Sequence, residues 1–198
     1  MTKKNIVILA SGEGTNAENI IRHFSSSPMA RVAAVFSNRR DAKVLLRAQR
    51  LFIPTEVFNR GQFYETGEVI TLLKRYEADL IVLAGFLWLV PDSLIKEFPQ
   101  RIVNIHPALL PSHGGKGMYG RFVHEAVIAA RDVKSGITVH FVDEQYDEGE
   151  IISQHSCEVT ANDTAESLAQ KIHELEQKFF PAAIEKALQG LPAGTPTK

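Results

Sequence analysis

Apolar and polar positions fall in blocks along this chain, and the period changes from block to block. "NIVILA" (5–10) is apolar after its first residue and runs straight into glycines, the pattern of a strand buried on both faces. "NAENIIRHF" (16–24) then spaces Ile20, Ile21 and Phe24 as the stripe of a helix. The succession repeats with a strand over "RVAAVFSN" (31–38), a helix over "AKVLLRAQR" (42–50) and a short strand in "PTEVF" (54–58). "YETGEVITLLKRYE" (64–77) predicts one helix with Val69, Leu72, Leu73 and Tyr76 on one side. "ADLIVLAGF" (78–86) is the most apolar strand and is expected at the centre of the sheet. "DSLIKEF" (92–98) reads as a short helix and "RIVNIH" (101–106) as a further strand.

This alternation predicts an open, mostly parallel twisted α/β sheet with helices on both faces. The pattern then changes. "SGITVHFVDE" (135–144) and "GEIISQHSCEV" (149–159) are strands joined by too few residues for a parallel crossover, so an antiparallel pair is expected at one side of the sheet. A long amphipathic helix from about Asp163 to Gln189 closes the chain. Asp163 or Thr164 is its N-cap, and Glu166 sits at its positive end. Gly190 ends that helix, and "LPAGTPTK" (191–198) reads as a loose tail. With no repeat, low-complexity segment or linker in view, residues 1–190 are expected to form a single domain.

Composition narrows the class. Lysine and arginine total 22 against 23 acidic residues, so no net field draws the chain to nucleic acid or an anionic membrane. The longest apolar stretch, "LIVLAGFLWLVP" (80–91), falls short of the ~18–20 residues of a membrane span. The N-terminal run "IVILA" is too short for the apolar core of a signal peptide. Cys157 is the only cysteine, so no internal disulfide forms, which suits a reducing compartment. The expected location is the cytoplasm.

Three stretches carry candidate chemistry. In "ASGEGTNA" (10–17), Gly12 and Gly14 allow close backbone approach at the start of a helix, and Thr15 and Asn16 add donors, as an anion site requires. Gly12, Gly14 and Ala17 also match a loose dinucleotide fingerprint. The acidic residue that fingerprint needs after the second strand is replaced by "SNRR", and an ordinary tight turn fits as well. In "RIVNIHPALLP" (101–111), period-2 geometry puts Ile102, Asn104 and His106 on one face and Val103 and Ile105 on the other. Asn104 and His106 therefore leave the C-terminal end of a strand together, one able to support an oxyanion and the other to move a proton. Pro107 and Pro111 restrain the loop that follows. The third stretch, "HFVDEQYDEGEI" (140–151), sets five carboxylates around a turn, one of which can orient His106 or raise its pKa. The seven histidines lack metal-ligand spacing, and no nucleophile elbow is present.

Taken together, "SGEGTN" (11–16), "NIHPALLP" (104–111) and "VHFVDEQYDEG" (139–149) resemble the phosphoribosylglycinamide formyltransferases, folate-dependent one-carbon transferases of purine biosynthesis. "VFSNRRDA" (35–42), "VLAGFLWLV" (82–90) and the last helix follow in family order, so the resemblance covers essentially the whole chain. It implies a Rossmann-like formyltransferase fold, with glycinamide ribonucleotide and 10-formyltetrahydrofolate as the small-molecule substrates. It implies no metal, nucleic acid or membrane partner, and a monomer or homodimer.

By position, the resemblance makes Asn104, His106 and Asp147 catalytic, with Asp147 orienting His106 and favouring its charged form. Gly14, Thr15, Asn16, His173 and Glu176 match ribotide and phosphate contacts. Arg60, Leu87, Trp88, Leu89, Val90, Asn104, Asp143, Glu144, Gln145 and Tyr146 match folate contacts. Trp88 stands where some relatives have Arg, and folate binding there survives if the contact uses backbone atoms. "SHGGKGMYGRFVHEAV" (112–127) reads as a loop longer than in many relatives, and His124 within it stays outside the expected site.

Four rival readings remain. A tRNA formyltransferase would add a C-terminal nucleic-acid-binding domain and a formyltetrahydrofolate deformylase an N-terminal regulatory one, and neither is expected here. A dinucleotide-dependent oxidoreductase would leave Asn104, His106 and Asp147 unexplained. A silent ribotide- or folate-binding module would have no use for all three of these residues.

Overall fold

A computed structural model describes residues 3–144 and 147–191. Seven strands form one sheet in the order β3-β2-β1-β4-β5-β6-β7. The strands are β1 (Lys4–Leu9), β2 (Ala30–Ser37), β3 (Thr55–Val57), β4 (Leu80–Leu83), β5 (Ile102–His106), β6 (Lys134–Phe141) and β7 (Ile151–Glu158). The first five run parallel, while β5–β6 and β6–β7 are antiparallel. β4 is the middle strand, as its apolar run predicts.

Strand alternation sorts the core into two layers. Ile6 and Ile8 of β1 pack with α1 (Thr15–Ser25), α2 (Lys43–Arg50) and α7 (Ala165–Gly190), whereas Val7 and Leu9 pack with α3 (Arg60–Tyr64), α4 (Glu68–Arg75) and α5 (Asp92–Glu97). β5 obeys the same rule: Val103 and Ile105 enter the first layer and Ile102 the second. Asn104 and His106 continue the Ile102 face beyond the apolar core, because the two-residue period of a strand leaves no other choice.

The chain leaves β1 toward β2 and β3, then crosses back to β4 and β5 on the other side. The reversal lies between β1 and β4, so the loops after these strands diverge and open a crevice at their C-terminal ends.

Three elements differ from the sequence pattern. The helix expected over 64–77 is the shorter α4, which starts only after Gly67, whose φ of 68° lies in the left-handed region, and a separate helix, α3, precedes it. Asn59 begins α3 with a reciprocal capping box to Gln62, a local signal that outweighs the weak apolar stripe. The strand expected over 78–86 stops at Leu83, because Gly85 turns left-handed at φ 72°. The stretch 112–127 is not all loop: α6 (Arg121–Ala130) begins after Gly120 and buries Val123, His124 and Val127. Its stripe is short, and three left-handed glycines precede it (Gly115, Gly117 and Gly120), so turn composition hides its start. The last helix is capped by Thr164, whose side chain accepts from Ser167 N–H, while Asp163 accepts from Ser167 Oγ.

Candidate active site

The first wall of the crevice is the glycine turn after β1. Gly14 has φ 78°, and a Cβ there would lie 2.5 Å from Val44 Cβ, so only glycine lets α1 start this close to α2. The first intrahelical bond runs from Glu18 N–H to Gly14 O, leaving the preceding N–H groups of Thr15, Asn16 and Ala17 at the positive end of the helix. Ser11 ties this turn to its surroundings: its Oγ donates to Asn38 Oδ1 at 2.8 Å and accepts from Leu87 N–H at 3.0 Å.

α7 crosses beside this turn. Asn16 Nδ2 donates to Glu176 Oε2 at 2.8 Å, and His173 Nδ1 lies 3.6 Å from the same oxygen. Burial pushes the Glu176 carboxyl above its ordinary range, against the opposing Asn16 hydrogen bond and the His173 charge. A carboxyl held in this way is a ready acceptor for a sugar hydroxyl.

The opposite wall is the segment after β4. Leu87 and Leu89 are exposed, whereas Trp88 packs among Phe58, Phe63, Tyr64 and Phe86. The Trp88 ring is thus held as part of this aromatic group, and Tyr64 Oη donates to Leu89 O at 2.9 Å. Arg60 Cζ lies 4.9 Å from the Tyr64 ring centre and 5.9 Å from that of Trp88, at the rim of this aromatic group.

Asn104 and His106 meet Asp147 on the floor. His106 Nδ1 is 3.6 Å from Asp147 Oδ2, and His106 Nε2 donates to His113 O at 2.8 Å. A ring nitrogen bonded to a carbonyl must carry a proton, so neutral His106 keeps its lone pair on Nδ1. Burial lowers the His106 pKa below its ordinary value; the Asp147 charge and the His113 carbonyl raise it but do not win. Asp147 thus favours the charged form, as expected, but burial outweighs it, so the neutral ring is the favoured form near neutral pH. Asp147 itself stays below the usual carboxylate range. Burial opposes this, but His140, the Gly115 N–H at 2.9 Å and the His106 charge outweigh it.

Two histidines were not foreseen in the site. His140 on β6 stands directly across from Asn104 in the antiparallel register. Its Nδ1–H donates to Phe141 O at 2.8 Å, so Nε2 can accept from Asn104 Nδ2 at 3.2 Å, and it lies 3.5 Å from Asp147 Oδ1. His140 thereby aims the Asn104 amide and leaves its second N–H free. Its one sequence signal was a polar residue inside an apolar strand. His124 is buried on α6 with Nδ1 unpaired among the described residues, and burial together with the nearby His106 lowers its pKa. Recognising α6 would have brought it forward.

These groups surround a cleft of about 380 Å³, within the usual range for a small-molecule site. Of the expected residues, Asn16, Leu87, Trp88, Leu89, Val90, Asn104, His106, Asp143, Asp147 and Glu176 line it. Gly14, Thr15, His173 and Arg60 lie around it without lining it. Glu144 turns outward, 4.0 Å from Lys96. Gln145 and Tyr146 lie outside the described residues.

A family model described as formyl transferase matches residues 4–184. The chain belongs to the formyl transferase family. Among its relatives, the chain is 36% identical over 192 residues to the phosphoribosylglycinamide formyltransferase of Bacillus subtilis, covering 93% of this chain and 95% of that one. It is 38% identical over 188 residues to the chloroplastic enzyme of the same name from Arabidopsis thaliana, covering 92% of this chain. The chain spans only 64% of that relative's length and 60% of its counterpart from Vigna unguiculata. Among solved formyl transferases, glycinamide ribonucleotide transformylase 1 from Symbiobacterium toebii superposes with a TM-score of 0.87 at 33% identity, covering 97% of this chain and 92% of that one. The phosphoribosylglycinamide formyltransferase of Anaplasma phagocytophilum gives 0.86 at 34% identity, covering 95% and 88%.

Proposed function

We propose that this formyl transferase moves the formyl group of 10-formyltetrahydrofolate to the amine of 5'-phosphoribosylglycinamide, a step of purine biosynthesis. The observation that carries the reading is one cleft that joins a helix N-terminus and Glu176 at one end, Asn104, His106 and Asp147 on the floor, and the 85–90 wall at the other. The two substrates meet over the floor, with the ribotide phosphate toward Gly14–Asn16, its sugar toward Glu176, and the pterin along Leu87–Val90. Arg60 at the rim suits the anionic folate tail. We place the reaction in the cytoplasm, where a lone thiol such as Cys157 stays reduced; no described helix is long and apolar enough to cross a membrane.

The ribotide amine attacks the formyl carbon, and the carbonyl oxygen becomes an oxyanion. The free amide N–H of Asn104 stabilises that charge. Neutral His106 takes the proton released by the attacking nitrogen on Nδ1, directly or through a water, and Asp147 stabilises the imidazolium that forms. The proton then passes to the folate nitrogen as its bond to the formyl carbon breaks. Formylglycinamide ribonucleotide and tetrahydrofolate leave, and His106 is neutral again.

A formyl-transfer assay with the two named substrates tests the reading, and absence of turnover by the folded protein overturns it. In the same assay, the Thr15→Ala/Asn16→Ala double variant should raise KM for the ribotide about tenfold or more, the loss of hydrogen bonds to a charged group. Its kcat should stay near wild type. An unchanged KM would move the phosphate elsewhere.

A further inference from the structure

The loop after β5 holds both members of the proton-transfer pair. His113 offers its carbonyl to His106 Nε2, and two residues on, Gly115 N–H donates to Asp147 Oδ2. His113 sits at φ 54°, a conformation unfavourable for any residue with a Cβ, so something must hold it there. Its own ring supplies the tie: His113 Nε2 is 2.6 Å from Oδ2 of Asp132, just past the end of α6. The start of the loop is pinned separately, by Leu110 N–H to Thr138 Oγ1 and Gln154 Nε2 to Leu110 O. Past His113 the chain turns through left-handed glycines at 115, 117 and 120 and has little stiffness of its own.

We propose that the His113–Asp132 pair is a remote positioning latch, which fixes the His113 carbonyl and thereby the tautomer and orientation of His106. Neither latch side chain reaches the cleft. While the carbonyl is in place, the proton of neutral His106 stays on Nε2 and the lone pair faces Asp147 from Nδ1. When the latch opens, the competing tautomer gains the advantage, because an Nδ1–H can then point at the Asp147 carboxylate. That form has no base on Nδ1. The charged and titratable groups facing His106 are Asp147, His113, His140 and His124, and only the first raises its proton affinity by charge.

The importance of the latch for turnover rests on the proposed formyl transfer, but its effect on the ring does not. Asp132→Asn, His113→Ala and the conservative Asp132→Glu should be compared with wild type by steady-state kinetics. The protonated ring nitrogen of His106 should be read by 15N NMR on the ligand-free proteins. Asp132→Asn and His113→Ala should move the ring proton from Nε2 to Nδ1 and lower kcat by about 10- to 100-fold, the scale of a slightly misplaced catalytic group. KM for both substrates should stay within about twofold, since the latch touches neither binding end. Asp132→Glu should restore most of kcat and the Nε2–H form. Folded variants that keep the Nε2–H form and wild-type kcat would overturn the latch, even if their Tm falls. Wild-type protein without turnover would overturn the formyl-transfer reading alone, and the ring tautomer would still decide the latch.

Discussion

His106→Ala is expected to lower kcat for formyl transfer by about three orders of magnitude, the middle of the range for loss of a general acid–base. His106 is buried on the cleft floor, with one nitrogen held by a backbone carbonyl and the other facing a carboxylate. His140 is held in a similar way, with Nδ1–H on Phe141 O and Nε2 3.5 Å from Asp147 Oδ1, but that Nε2 is engaged by the Asn104 amide, whereas His106 Nδ1 has no such donor on it among the described residues. Rapid-quench measurement of one turnover checks the size of the loss, and a fall of less than about tenfold would remove His106 from the proton path. The wild-type pH profile offers a second check. The base must be neutral, and burial lowers its pKa from the ordinary 6.5, so kcat/KM should persist below pH 6.5 and fall only as pH drops through the lowered value. An acid limb centred above pH 6.5, after allowance for the substrate amine, would contradict this assignment.

Asp147→Asn should cut kcat by about 100-fold, with KM for the ribotide nearly unchanged. The amide keeps the shape of the carboxylate and an oxygen for Gly115 N–H, but it cannot stabilise the imidazolium that forms on His106. The proposed ribotide end, at Asn16 and Glu176, lies apart from this contact. The sign of the pH effect is fixed as well. Removing a negative charge that raises the His106 pKa lowers that pKa further, so the acid limb of kcat/KM should move to lower pH. An unchanged kcat, or a limb displaced upward, would sink the role given to Asp147. The variant should also be less sensitive to acid. A carboxyl whose folded pKa lies below 3.8 contributes stability above that pH and loses it as pH falls through the folded value. Chemical denaturation at neutral and acid pH would register the difference.

The elements that could be read from the chain were those whose signal is local and long. β1, β2, α1, α2 and α7 carry strong periodic patterns, and each is found where its pattern predicts. The errors fall where a few backbone torsions decide. Gly67 delays the start of α4 and Gly85 follows the end of β4 where side-chain periodicity would continue, and α6 follows a glycine-rich turn that masks its start. Among the expected site residues, Asn16, Asn104, His106, Asp147 and Glu176 converge, whereas Glu144 turns to Lys96. Acidic residues in a turn carry no pattern that tells an inward side chain from an outward one. His140 carries no local signal of its role, because that role depends on a strand partner 36 positions away.

The order of residues alone determined that Asn104 and His106 leave one face of a strand together, since a period of two follows from the covalent geometry of an extended chain. That only glycine suits position 14 was decided by the fold, where a Cβ would meet Val44 of α2. The charge state of His106 and the nitrogen that holds its proton were decided only in the folded molecule. Burial sets the first, and the second depends on a carbonyl at His113, anchored in turn by Asp132 beyond α6. Desolvation and hydrogen bonding act through space, between groups that the order of residues does not set side by side.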